Sequence, residues 1–181
     1  MCGRREQDDG AWRGVRLRDA DRRDEAAVVR MLAAAERWAH ASTGAPAGPG
    51  DFQSLAYALP EGATADQKRL LVVCDGDEVV GVVDAVVDWP EPGTVAIGVF
   101  LVDPVLHRRG IGSAALEVGC RAARRAGARR IRASCPAGWA EGEGFLRRSG
   151  FRRLDPAPVV MNRVVHPHED ERRIDPWLLE I

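Results

Sequence analysis

Residues 107–112 read His-Arg-Arg-Gly-Ile-Gly, two glycines one residue apart behind a basic pair. Between a strand-like and a helix-like run, such a turn aims several backbone N–H groups at one point. The first turn of a helix leaves its donors unbonded, and the helix dipole adds partial positive charge there. Gly110 and Gly112 carry no Cβ to hold a ligand off the backbone. The turn therefore suits a diphosphate cradled by N–H groups and flanked by Arg108 and Arg109. A tight glycine corner with solvated arginines is the alternative, and G-x-G alone does not choose between them. Two nucleotide motifs are excluded. A P-loop needs a lysine that is absent from this stretch, and the dinucleotide fingerprint belongs after the first strand of a βαβ unit. Here the turn comes late, after a hairpin, with Ala115 at the position of the last glycine.

The elements that must hold this turn follow from hydrophobic periodicity. Residues 15–18 suit a short strand, and Asp19 or Asp21 caps a helix running to Ser42 on the stripe Val28, Leu32, Ala35, Ala39. The Gly- and Pro-rich stretch 44–50 is a loop. Residues 51–59 form a short helix, ended by Pro60, that serves as a flap over a binding site and carries the single tyrosine, Tyr57. Residues 70–74 and 79–87 are β-branched runs joined by a tight turn at Gly76, hence a hairpin. Thr94–Val102 is almost wholly apolar, as for a strand buried on both faces. Beyond the glycine turn, Ile111, Ala115, Val118 and Ala122 form a helical stripe that Gly127 stops. Residues 131–135 are a strand, 141–149 a short helix, and Phe151 with 159–165 the last strands. This order predicts a single α/β domain with a mixed, mostly antiparallel central sheet of about six to seven strands flanked by helices. Its boundaries are 12–165, after a disordered segment 1–11 and before a charged tail 166–181 that ends in Trp177, Leu178 and Leu179.

Composition narrows the function classes. With 181 residues, 45% of them hydrophobic, the chain can bury one proper core. A net charge of −1 gives no general pull toward nucleic acid or an anionic membrane. Arginine is abundant while Lys68 is the only lysine, a compositional bias that makes any one arginine cluster uninformative. Cys2, Cys74, Cys120 and Cys135 lack CxxC or metal-like spacing, and His166 and His168 lack partners, so no metal site is expected. Reduced thiols, no apolar run of membrane-spanning length and no signal-like start point to a cytoplasmic protein.

Taken together, residues 99–151 resemble the GNAT N-acyltransferase superfamily. The strand ends in Val102-Asp103-Pro104, the 107–112 turn opens a helix, and a strand at 131–135 leads through Phe145-Leu146-Arg147-Arg148-Ser149 to Gly150-Phe151. The resemblance extends over roughly residues 12–165 and implies a GNAT-like fold that binds acetyl-CoA. It implies that the strands 94–102 and 131–135 splay, and that the backbone of Phe100, Leu101 and Val102 bonds the pantetheine arm. The diphosphate would lie on His107, Arg108, Arg109, Gly110, Ile111, Gly112 and Ser113. An N–H near Phe100 would polarise the thioester carbonyl.

Two departures stand out. His107 replaces the usual Gln or Arg, and Leu146 and Trp139 replace the usual Tyr and Asn, so the family's usual general acid is missing. The remaining catalytic candidates are Asp84 as base, with Asp88 or Glu91 as alternatives, and Ser134 or Cys135 near the departing thiolate. An unperturbed thiol titrates at about 8.5, not far from neutral. The resemblance implies transfer of acetyl to a primary amine of a small molecule or a protein, by direct attack, in a homodimer. An acyl-CoA-binding sensor or scaffold without turnover is the alternative that the missing tyrosine permits.

Overall fold

Strong β-branched alternation builds the first half of the sheet. The structure, a computed structural model, describes residues 14–154, 159–160 and 173–181. The expected disordered start, His166, His168 and most of the 159–165 run lie outside the described residues. Val15–Asp19 (β1), Lys68–Asp75 (β2), Glu78–Val87 (β3) and Thr94–Val102 (β4) pair antiparallel in sequence order. The β2–β3 hairpin turns at Gly76, which adopts φ +58°. Arg130–Pro136 (β5) then runs parallel to β4, through the helix Ile111–Arg125 (α4). The order across the sheet is β1-β2-β3-β4-β5-β8-β6, with Arg152–Arg153 (β6) and Val159–Val160 (β7) both pairing with Arg173–Glu180 (β8). This is the mixed, mostly antiparallel sheet that the pattern of runs predicts, with two of the eight strands among the described residues only two residues long.

Helices cover both faces. Glu25–Ala34 (α1), Glu36–Ser42 (α2) and Asp51–Tyr57 (α3) lie on one face, over a core of Val28, Met31, Leu32, Phe52, Leu55, Val72, Cys74, Val82 and Leu101. On the other face α4 and Ala140–Arg148 (α5) pack over Val73, Val83, Val102, Ile111 and Ala115 at one end, and over Ile131, Ala133, Cys135, Leu146 and Trp177 at the other. The expected single helix up to Ser42 is broken at Ala35, which takes φ −88°, ψ 44° while its N–H bonds the carbonyls of Met31 and Leu32. Before it, Asp24 anchors the chain: it is 4% exposed and accepts two hydrogen bonds of 2.7 Å from Arg18.

The carboxy terminus differs most from expectation. Residues 173–180, read as part of a charged tail, are an inner strand between β5 and β6. Ile174 and Leu178 are buried on one face and Trp177, 2% exposed, on the other. Asp175 is buried beside Trp177 because Arg153 Nη2 meets its Oδ2 at 2.7 Å. An opposite charge on a neighbouring strand is what admits a carboxylate into that core.

Candidate acyl-transfer site

Two interruptions in the sheet create the site. The β3–β4 register passes from Asp84↔Val99 to Ala85↔Ile97, so Gly98 is an extra residue and β4 bulges there. The parallel β4–β5 ladder runs from Thr94↔Arg130 to Ile97↔Ala133 and no further, although β4 continues to Val102 and β5 to Pro136. The two strands therefore part at the bulge. The β5-facing edge of residues 98–102 is left with unpaired backbone groups, a row that can accept an extended ligand as an added strand.

At the far end of β4 the chain enters the glycine turn. Val102 leads through Asp103, whose Oδ1 accepts the Val105 N–H, into a 3-10 turn at Pro104–Leu106. Arg108 takes φ +65° and Gly110 φ +87°, and Gly110 is the N-cap of α4. The first α4 amide bonded to its helix is Ala114, which donates to the Gly110 carbonyl. The N–H groups of Arg108, Arg109, Gly110, Ile111, Gly112 and Ser113 find no acceptor among the described residues. A left-handed residue two before another curves such donors into a concave nest at the positive end of a helix dipole. At Gly112, a Cβ would stand 3.4 Å from Phe145 Cε2 and 3.8 Å from Phe100 Cε1. Phe100 and Phe145 stack at 5.7 Å between centroids, filling the wedge between β4, α4 and α5. Orphaned N–H donors converging at the head of a helix are what a diphosphate requires, so the residues present fit the pyrophosphate end of coenzyme A.

His107 plays a different part from its neighbours. Its Nε2 lies 2.9 Å from the Val102 carbonyl and, facing an acceptor, must carry the proton. The ring thus staples the turn to the end of β4 and occupies the Val102 oxygen, leaving Phe100 and Leu101 as the free stretch of the edge.

Alternation sorts the polar candidates by face. Asp84 shares the α1–α3 face with Val82 and lies at the bulge, its Oδ2 3.2 Å from where a Gly98 Cβ would stand. Lys68 Nζ meets Asp84 Oδ1 at 2.6 Å. Of the other carboxylates proposed, Glu91 pairs with Arg130 at 2.8 Å and Asp88 accepts the Gly93 N–H, so both serve the β3–β4 turn at the opposite end of the strands. Ser134 is exposed and on the same face as Asp84, just past the point where β4 and β5 part.

Cys135 corrects the sequence reading. It is 2% exposed in the core beneath α5, on the opposite face from Ser134. Burial, with Glu143 and Asp175 adding to it, pushes its thiol up to about 12. A thiol held there gives up no proton near neutral pH. Gly142 is what lets α5 seat so closely, since a Cβ would come within 3.0 Å of Cys135 Sγ and 2.3 Å of Trp139 Cε3. Leu146, at the position of the missing tyrosine, is buried in the same cluster. Sequence alone assigns neither Lys68 nor Phe145 to the site. Lys68 sits at even spacing from Leu70, Val72 and Cys74, a pattern that already puts it on an inner face.

The sequence matches the acetyltransferase (GNAT) family over residues 32–151. No curated protein matches it. Among solved structures, RimL, the ribosomal L7/L12 α-N-protein acetyltransferase, superposes with a TM-score of 0.69 at 18% identity, covering 94% of this chain and 92% of its own. Ard1 from Thermoplasma volcanium gives 0.65 at 18% identity, with 93% and 98% covered. The ribosomal-protein-S18-alanine N-acetyltransferase from Escherichia coli gives 0.58 at 17%, with 92% and 94% covered. At such identities the likeness speaks for the fold, while the sequence match speaks for the family.

Proposed function

The chain belongs to the GNAT acetyltransferase family, whose members are acyl-CoA-dependent N-acetyltransferases, and on that premise we propose that it transfers acetyl from acetyl-CoA to a primary amine of a small molecule or a protein. The observation that carries this reading is the run of unbonded N–H groups over residues 108–113 at the head of α4, in line with a β4 edge left open by the splay. These amides would hold the diphosphate, with the Arg108 and Arg109 side chains beside it. The backbone of Phe100 and Leu101 would hold the pantetheine arm. Bound acetyl-CoA supplies an acyl group already activated as a thioester.

The chain's own residues then do three things. Asp84 receives the proton of the acceptor ammonium at its carboxylate, which lies at the bulge where the strands part. Backbone N–H groups at the bulged stretch of β4 orient the carbonyl. The Ser134 hydroxyl, exposed on the same face, hydrogen-bonds at the sulfur end of the slot; in place of the missing tyrosine it gives its proton to the thiolate as the C–S bond breaks and takes up the proton the attacking amine loses on forming the C–N bond. Much of the rate gain is then positional, since the slot orients two reactants. The acceptor approaches from the α1–α3 face, the side Asp84 and Ser134 share.

The test is release of free thiol from acetyl-CoA across benzylamine, a diamine, lysine amide and an alanine-initial peptide. Turnover with at least one amine, lost in Asp84→Asn, is the expected result. Tight CoA binding without turnover on any amine would favour a sensor.

A further inference from the structure

The floor of the acceptor side holds a buried lysine whose partners are informative. Lys68 opens β2, and its side chain is 7% exposed, against 13% for Asp84. Beyond its 2.6 Å contact with Asp84 Oδ1, Nζ donates to the Ala58 carbonyl at 2.6 Å. Ala58 caps the carboxyl end of α3, the short helix that roofs this face. One ammonium therefore joins the end of the roof to the carboxylate at the bulge, and the other oxygen of that carboxylate faces Gly98.

The residue type matters in a chain with this composition. Of its 26 lysines and arginines, Lys68 is the sole lysine. A compact ammonium on an unbranched stem can divide its tetrahedral donors between a carboxylate and a carbonyl lying in different directions, which a planar guanidinium cannot do from the same place. A charge this buried is tolerated only when paired and hydrogen-bonded, which both contacts provide.

Most charged groups on the surrounding elements face elsewhere. Arg69 lies on the opposite face of β2 and donates to the carbonyls of Asp66 and Lys68. On α1, Glu25 accepts from Gln53, and Arg30 is exposed. On α3, Asp51 accepts the Gly48 N–H and Tyr57 is 80% exposed. β4 carries no charged side chain from Thr94 to Val102. Arg132 of β5 shares the face, one strand beyond Ala96.

We propose that Lys68 is a positioning residue for acyl transfer: its ammonium keeps the Asp84 carboxylate ionised and turned toward the Gly98 bulge, and ties it to the end of α3. Base and roof are thereby coupled, so that an acceptor which lifts α3 also disturbs the base. The inference rests on the reading of Asp84 as the base. Removing an adjacent cation raises the pH at which a carboxylate ionises, commonly by about one unit or more. Loss of the Ala58 tie loosens the roof over the acceptor.

Two experiments test it. Because the chain has one lysine, 15N-lysine labelling gives a single side-chain ammonium signal. At pH 7 that signal should be protected from exchange in the wild-type protein, follow a carboxylate titration at low pH, and lose both properties in Asp84→Asn. A freely exchanging ammonium in the wild type would overturn the proposal whether or not turnover is measurable.

In kinetics with the best amine of the panel above, Lys68→Met should move the acidic limb of kcat/KM up by about one pH unit and raise acceptor KM several-fold, with the KM for acetyl-CoA unchanged. Lys68→Arg should return the limb toward its wild-type position without restoring acceptor KM. A lowered Tm with the limb and acceptor KM unmoved would mean a structural role only. If Asp84→Asn abolishes turnover while both Lys68 variants keep the wild-type limb, Asp84 stands as base and the proposal for Lys68 falls. If Asp84→Asn leaves turnover intact, the reading of Asp84 fails and the proposal with it.

Discussion

Gly110→Ala tests the glycine turn in both its structural and its binding role. Gly110 sits at φ +87°, ψ −6°, where an alanine Cβ crowds the neighbouring carbonyl oxygen at a cost of about 1–2 kcal/mol. For a chain of this length, that lowers Tm by about 2–8 °C. If the turn escapes the strain by rotating, the Gly110 and Ile111 N–H groups leave their common focus. Each charge-assisted hydrogen bond lost costs about 1.5–3 kcal/mol, so the CoA Kd rises roughly 10- to 150-fold per bond. Differential scanning fluorimetry reads the first effect and isothermal titration with CoA the second. Gly112→Ala is the matched control, because its Cβ would meet Phe145 at an ordinary 3.4 Å within a regular helix. It should leave Tm and Kd close to wild type, whereas Gly112→Trp, too large for the wedge, should block binding. A folded Gly112→Trp protein with undiminished CoA affinity would refute the assignment of the diphosphate to this turn.

Two further predictions concern residues around the site. Cys135→Ala should leave turnover unchanged, and loss of activity in a folded variant would contradict its placement in the core. The thiol, pushed up to about 12, favours folding while it is protonated. Its contribution is complete below the unfolded value of about 8.5 and disappears as pH climbs toward 12, so urea unfolding of the variant should show a shallower alkaline decline than wild type. Asp24→Asn should destabilise the fold by about 1–3 kcal/mol at pH 7, discounted because Arg18 remains partly exposed. The Arg18 hydrogen bonds hold the Asp24 carboxyl below its ordinary range, so this stability is present above about pH 4 and lost as pH falls. The gap between variant and wild type should narrow on acidification, and a gap that stays constant would show that the ion pair is not its source.

Periodicity carried most of the fold because most elements bury one clean face. The β2–β3 hairpin, the all-apolar β4 and the α4 stripe are read directly from Val, Ile and Leu spacing. β8 was hidden because Pro176 and the charges of Arg173 and Asp175 argue locally against an inner strand, and Asp175 is admitted only by Arg153 from a neighbouring strand. The break at Ala35 was equally invisible, since alanine is the strongest helix former and no residue around it signals a stop. At the site, the glycine turn was legible because its chemistry is backbone chemistry. Choosing between Ser134 and Cys135 was possible in principle, as Ile131, Ala133 and Cys135 alternate inward while Ser134 alternates outward. The Lys68–Asp84 pair was not legible, because it depends on the register of two strands, and no spacing within one segment encodes that.

Backbone amide shifts on titrating 15N-labelled protein with CoA address the central claim most directly. The account predicts the largest changes at the N–H groups of residues 108–113, with a second group along residues 98–101 of β4. Dominant shifts elsewhere, with those amides unmoved at saturating CoA, would contradict it.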